Sequence, residues 1–178
     1  VALIKDNHLI LGNVGDSRGY IISDTTIRQI SNDHSLVAEQ VAAGLITTEE
    51  AETHPQRNII TRAIGISENV DVDIFEAELK PGDIVFLCSD GLYPLVSNKE
   101  IYQQLQIKNL NEACKKLVDL ANERGGPDNI TIAIVKVGGD TKSSTKKQRI
   151  NAKTRSEKAS WLKKGEKSNS LNSFVSKE

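Results

Sequence analysis

Hydrophobic and polar positions change period several times along the chain, and each change predicts an element. Residues 1–14 (VALIKDNHLILGNV) and 19–23 are apolar, β-branched runs separated by Gly15-Asp16-Ser17-Arg18, and residues 27–30 resume the pattern after Asp24-Thr25-Thr26. That alternation predicts an antiparallel β-meander. From Ser35 the spacing turns helical: Leu36, Val37, Gln40, Val41 and Leu45 share one face, Gly44 closes it, and Thr47 with Glu50 has the spacing of a capping box opening a second short helix. An exposed helical insertion at about 37–54 is the consequence. Strand character returns at 58–63 and 70–78, and Pro81-Gly82 predicts a turn. The run Ile84-Val85-Phe86-Leu87-Cys88 is apolar on both faces, which suits a central strand. Ser97, Asn98 and Glu100 open a helix through Leu105, and residues 110–124 form an amphipathic helix with Ala113, Leu117, Leu120 and Ala121 on one face, ended by Gly125-Gly126. Residues 129–137 (NITIAIVKV) read as a last alternating strand. About seven strands with helices in separate blocks predict an α+β fold of layered sheet and helix, not a doubly wound one.

Composition adds a division to this picture. Residues 1–138 hold 12 Lys and Arg against 20 Asp and Glu, whereas residues 139–178 hold 11 against 4 and are rich in Lys, Ser and Asn. An acidic folded body is therefore expected at 1–138 and a basic, disordered tail at 139–178, where scattered apolar residues such as Trp161 and Phe174 are too few to offset ordering entropy. Without an accompanying aromatic-rich fold, the basic tail disfavours a nucleic-acid partner and reads as a solvated linker. No stretch approaches the roughly 20 apolar residues of a membrane-spanning helix, and the first residues do not have the layout of a secretory leader. Two cysteines, Cys88 and Cys114, fall short of a disulfide framework, so a reducing cytoplasm is expected. With no methionine and an apolar start at Val1, the chain reads as a fragment.

Three aspartates share one context. Asp16 in NVGDSRGY, Asp90 in FLCSDGLY and Asp128 in RGGPDNITI each sit beside glycine or proline where a β run starts or stops. Turn chemistry alone places Asp at such positions. Three of them at one edge of a sheet would form a negative cluster that is costly unless cations fill it. Hard oxygen donors favour magnesium or manganese, and no Cys/His cluster of tight spacing points to zinc. His8, His34 and His54 lie on separate segments, which assigns each a structural or solvated role. Ser17 and Ser89, beside the aspartates, lack a suggested base and read as turn formers. Arg18 reads as an ion-pair partner of Asp16 or a neighbouring acid; Arg57 and Arg62 are lesser candidates for contact with phosphate.

GDSRGY (15–20), NDHSLV (32–37), HPQRNIITRAIG (54–65), KPGDIVFLCSDGL (80–92) and GGPDNITIAIV (125–135), in that order, resemble the metal-dependent serine/threonine phosphatases of the protein phosphatase 2C type, especially the bacterial ones. The resemblance covers residues 1–138. It implies a layered antiparallel β-sandwich flanked by helices, incomplete here at the N-terminus, with the 37–54 insertion as the flap beside the cleft. It implies that Asp90 and Asp128 match the carboxylates holding two catalytic Mn2+ or Mg2+ ions, and that Asp16 with Asp90 matches the holders of a third ion in bacterial members. Asn129 would fix the loop of the last ligand.

The chemistry that the resemblance implies is attack on phosphorus by a metal-bound water, with two cations about 3.5–4 Å apart, so no residue of this chain is itself expected to be catalytic. On this reading Asp90 ends a rigid strand because its carboxylate must be held at fixed geometry, and Gly91 turns the backbone away without placing a side chain in the cleft. The family's upstream Glu-Asp, its Asp-Gly-His/Met-Gly-Gly segment and its phosphate-gripping arginine have no match here. The chain alone is accordingly expected to be inactive.

The parent protein is then expected to be a monomeric, cytoplasmic phosphatase acting on phosphoserine and phosphothreonine in proteins, opposed by a serine/threonine kinase. A non-catalytic pseudo-phosphatase serving as a binding module is the alternative, disfavoured by the three retained aspartates. A sporulation or stress-response regulator phosphatase of the same fold is the third reading, disfavoured by the flap-like stretch at 38–54.

Overall fold

The chain opens with a hairpin where the periodicity read one run. Strands β1 (Ala2–Lys5) and β2 (His8–Asn13) pair with Lys5 opposite His8, and the two loop residues Asp6 and Asn7 both have positive φ, 49° and 61°. Left-handed backbone at both positions matches the strand twist, and Asp and Asn tolerate it because their short polar side chains bond locally. The computed structural model describes residues 1–107 and 109–138, so the expected basic tail lies outside the described residues.

Next along the chain are β3 (Arg18–Ile22), β4 (Ile27–Gln29), α1 (Leu36–Ala42), α2 (Thr48–Thr53), β5 (Asp73–Glu78), β6 (Ile84–Cys88), α3 (Asn98–Leu105), α4 (Leu110–Glu123) and β7 (Ile132–Lys136). They build two antiparallel sheets, β1-β2-β5 and β4-β3-β6-β7. Strand β6 is central, between β3 and β7, as its two-faced apolar run predicts.

Two expectations about strands change. Residues 58–63 make only the isolated bridge Ser35–Ile60, and the strand expected over 70–78 begins at Asp73. Apolar residues there have no sheet to join: Ile59 and Ile60 are 44% and 41% exposed. Leu45, assigned to the face of α1, lies past its end and is exposed; only Val37 of that helix is buried.

Alternation along β3 and β6 divides the core in two. Ile21 and Val85 face the first sheet and pack with Leu9, Leu79 and Val137. On the opposite face Tyr20, Ile22, Ile84, Phe86 and Cys88 pack against Leu92, Val96, Ile101, Leu105, Ala113, Leu117 and Ala121 from α3, α4 and the segment before them. The described layers are therefore sheet, sheet, helices, with Tyr20 and Phe86 in edge-to-face contact at 5.9 Å. Among the described residues, no helix is long and apolar enough to cross a membrane.

Candidate metal centre

Sheet register decides where the three aspartates go. Arg18 of β3 stands opposite Cys88 of β6, and Asp16 and Asp90 each lie two residues beyond that pair, at the same end of the ladder. Cys88 also stands opposite Ile132 of β7, which brings the loop carrying Asp128 to this end. Asp16 and Asp90 are half-buried, whereas Asp128 is exposed and its Oδ1 accepts the Asn129 N–H at 2.7 Å.

The carboxyl of Asp16 is pushed above its usual range, first by burial and then by the charge of Asp90; its own backbone hydrogen bond and Arg18 pull the other way. Asp16 and Asp90 are thus close enough for the charge of one to act on the other. Among the described residues, no group of three or more His, Cys, Asp or Glu side chains is disposed to hold a metal ion. The arrangement is two half-buried carboxylates at one end of the β3–β6 ladder, with the exposed Asp128 on the loop that enters β7 at the same end.

The loops carrying Asp90 and Asp128 are fastened together by their neighbours. Ser89 Oγ donates to the Asn129 carbonyl and accepts the Thr131 N–H, both at 3.0 Å, while the Ser89 N–H bonds the Thr131 carbonyl at 3.0 Å. A Cβ on Gly91 would collide with the Asn129 carbonyl oxygen and come within 2.9 Å of its carbon. Glycine is therefore required by close approach of two backbones, not by the need to keep the cleft clear. Asn129, expected to fix its loop, takes part through its main chain.

Arg18 does not pair with Asp16. Its Nε bonds both carboxylate oxygens of Asp33 at 3.1 and 3.0 Å, its Nη2 bonds Oδ2 at 2.7 Å, and its Cζ lies 3.6 Å from the centre of the Tyr93 ring. Burial opposes the charge on Arg18, and the Asp33 bonds more than offset it, so the guanidinium stays protonated. Gln29 Nε2 adds a bond to Asp33 Oδ1 at 3.1 Å. Arg18 is hydrogen-bonded to Asp33 and not to Asp16, and its charge offsets only part of what burial and Asp90 do to the Asp16 carboxyl.

His34 has the structural role assigned to it, but its partners were not legible in the sequence. Its ring is 5% exposed and sits behind the Asp16 turn, bonding the Gly15 N–H through Nδ1 at 3.1 Å and Asp73 through Nε2 at 3.1 Å. Arg62 also joins Asp73, at 2.6 Å. His8 and His54 also fit the structural or solvated role assigned to them: His8 meets Glu76 at 3.1 Å and His54 Nδ1 accepts the Gln56 N–H.

The donor chemistry of this end of the sheet fits a hard divalent cation. A cation would relieve the Asp16 carboxyl, which burial and the charge of Asp90 push up, and magnesium-like ions are commonly held by one or two carboxylates with water completing the shell.

Comparison with known proteins supplies the family. The family model "Stage II sporulation protein E (SpoIIE)" matches residues 22–138, and "Protein phosphatase 2C" matches residues 1–40. The chain is 41% identical over 135 residues to the serine/threonine phosphatase stp of Listeria welshimeri, an alignment covering 75% of this chain and 54% of that protein. It is similar in structure to the Streptococcus agalactiae serine/threonine phosphatase, with TM-score 0.73 and 42% identity, covering 76% of this chain and 57% of the other. The catalytic domain of the phosphatase PstP in complex with two manganese ions matches with TM-score 0.70 and 38% identity, over 78% and 57% of the two chains. The chain spans about half the length of the curated relatives such as the Listeria protein. A sporulation protein family thus matches most of this chain, while the relatives named above are serine/threonine phosphatases. With five motifs, an antiparallel double sheet and these relatives in agreement, the chain belongs to the family of bacterial serine/threonine phosphatases of the protein phosphatase 2C type.

Proposed function

We propose that the protein containing this chain is a manganese- or magnesium-dependent phosphatase that hydrolyses phosphoserine and phosphothreonine in proteins. The observation that carries the reading is the placing of Asp16 and Asp90 at the same end of the β3–β6 ladder, in a chain about 40% identical to serine/threonine phosphatases. In this reading Asp90 and Asp128 hold the catalytic ions and Asp16 with Asp90 holds a third. Bound divalent cations supply charge that lowers the pKa of water towards neutrality and offsets the charge of phosphoryl oxygens.

The chain's own residues prepare that site. Ser89 and Gly91 lock the Asp90 loop to the Asp128 loop, so a shift of one carboxylate must move the other. Asp33 holds Arg18 in place, so the guanidinium makes no hydrogen bond to Asp16 and acts on it only through its charge. On the same reading the largely exposed α1–α2 excursion is the flap that contacts a phosphoprotein surface. The proposal extends to a monomer in the cytoplasm, opposed by a serine/threonine kinase, in keeping with two free cysteines and relatives named as serine/threonine phosphatases. The non-catalytic alternative finds no support in those relatives.

The test is manganese-dependent hydrolysis of a small aryl phosphate, then of a phosphothreonine peptide, by the protein expressed from its complete reading frame. Metal-dependent turnover that falls by orders of magnitude in Asp90→Asn supports the reading. A folded, manganese-supplied protein without turnover, or an Asp90→Asn variant as active as the wild type, sinks it.

A further inference from the structure

Behind the Asp16 turn lies a set of contacts that none of the metal-site reasoning uses. Gly15, one residue before Asp16, is held on both sides by His34: its N–H donates to His34 Nδ1 at 3.1 Å and its carbonyl accepts the His34 N–H at 3.1 Å. Its φ of +99° is a left-handed conformation that glycine reaches without strain and that a side chain would disfavour. Asn13 adds a third hold, its Nδ2 donating to the Gly15 carbonyl at 3.2 Å.

The tautomer of His34 follows from these partners. Nδ1 accepts the Gly15 N–H, so the ring proton of the neutral imidazole is on Nε2, where it donates to Asp73 Oδ2 at 3.1 Å; Arg62 Nη1, a donor only, stands 3.2 Å from that nitrogen and is taken up by Asp73 instead. Asp73 also takes Arg62 Nη1 on Oδ1 at 2.6 Å, and these two hydrogen bonds, His34 first, hold its carboxyl below the usual range. The far side of the ring is thereby anchored in the first residue of β5, while the His34 carbonyl accepts the Thr61 N–H at 2.9 Å. A carboxylate, an imidazole and a backbone N–H are connected in series and end at the turn that presents Asp16. The pattern is the one by which outer groups orient a metal ligand, although here the imidazole grips the ligand's main chain and not the ligand itself.

We propose that His34 is a positioning residue for Asp16: oriented by Asp73, it fixes the Gly15–Asp16 turn and so sets the cation affinity of the Asp16–Asp90 pair without being a ligand. The inference rests on the metal-site reading above. Its test uses two substitutions that each keep half of the imidazole. His34→Asn places an amide oxygen near Nδ1 and retains the acceptor for Gly15; His34→Gln reaches Asp73 and loses that acceptor. Manganese affinity is measured by the paramagnetic signal of free Mn2+ in the full protein, beside Asp16→Asn, with a metal-free thermal melt of each variant.

The expected result is that Asp16→Asn removes one class of bound Mn2+, that His34→Gln weakens the same class by about 10-fold or more, and that His34→Asn stays within a few-fold of wild type while melting no higher than the Gln variant. A merely structural histidine would lower both melts and leave both affinities alike. Equal affinities for the two His34 variants, with Asp16→Asn defective, overturn the positioning role alone. An Asp16→Asn variant that binds Mn2+ like wild type overturns the ligand assignment and the inference together. If His34→Gln does not fold, Asp73→Asn loosens the ring from its other side and is expected to weaken Mn2+ binding several-fold; unchanged affinity there overturns the proposal.

Discussion

Helices α2 and α3 begin with the same device and end in different places. In α2 the Thr47 Oγ1 accepts the Glu50 N–H at 3.1 Å while Glu50 Oε2 accepts the Thr47 N–H at 2.7 Å; in α3 Ser97 and Glu100 exchange the same two bonds at 3.4 and 3.0 Å. Both are capping boxes. Yet α3 buries Ile101 and Leu105 completely or nearly so, and α2 buries nothing. A cap fixes where a helix starts, and only a periodic apolar face fixes what it packs against. Glu100 shows the added consequence of docking. Its carboxylate also takes Arg124 Nη2 at 2.6 Å, and Arg124 Nη1 bonds the Leu95 carbonyl at 2.5 Å, so the cap of α3 is tied to the end of α4. The cap of α2 serves its own helix.

The contrast can be broken most directly in the core. Leu117→Ala, beneath α4, is expected to cost about 2–5 kcal/mol in urea unfolding, whereas Leu45→Ala between α1 and α2 changes it by less than about 0.5 kcal/mol. Comparable losses would show that the excursion is part of the same cooperative core. A smaller effect separates the two caps. Ser97→Ala is expected to lower global stability by about 1 kcal/mol, while Thr47→Ala speeds amide hydrogen exchange within α2 and moves the global midpoint less. Equal shifts of the global midpoint would contradict the comparison.

The smallest effect is in pH. Arg124 first, and then Ser97, hold the Glu100 carboxyl down to about 2 from its ordinary 4.5. A group whose folded value is depressed contributes stability above its unfolded value and loses it as pH falls through the folded one. The difference in urea midpoint between wild type and Arg124→Ala should therefore be steady above pH 4.5 and shrink between 4.5 and 2. A difference that grows on acidification would show that the pair does not stabilise the fold.

Much of this architecture was legible because it rests on short-range rules. The two capping boxes, the two-faced run of β6 and the apolar stripe of α4 are local patterns, and each aspartate of the candidate site could be located at the edge of a β run. The family resemblance added a role for them. The β1–β2 turn was missed because Asp6-Asn7 lacks the glycine that usually marks a two-residue hairpin, and residues 58–63 were misread because β propensity does not supply a neighbouring strand.

Amino-acid order alone thus determined which residue types stand at the ends of β3, β6 and β7, since turn chemistry and side-chain period are properties of neighbouring residues. Tertiary structure alone decided which charges meet. Arg18 bonds Asp33, 15 residues away, and not Asp16; His34 bridges Gly15 and Asp73; and Gly91 lies against Asn129, 38 positions along the chain. Such pairings are set by sheet register and by the requirement that buried polar groups find partners, and neither leaves a periodic trace in the sequence.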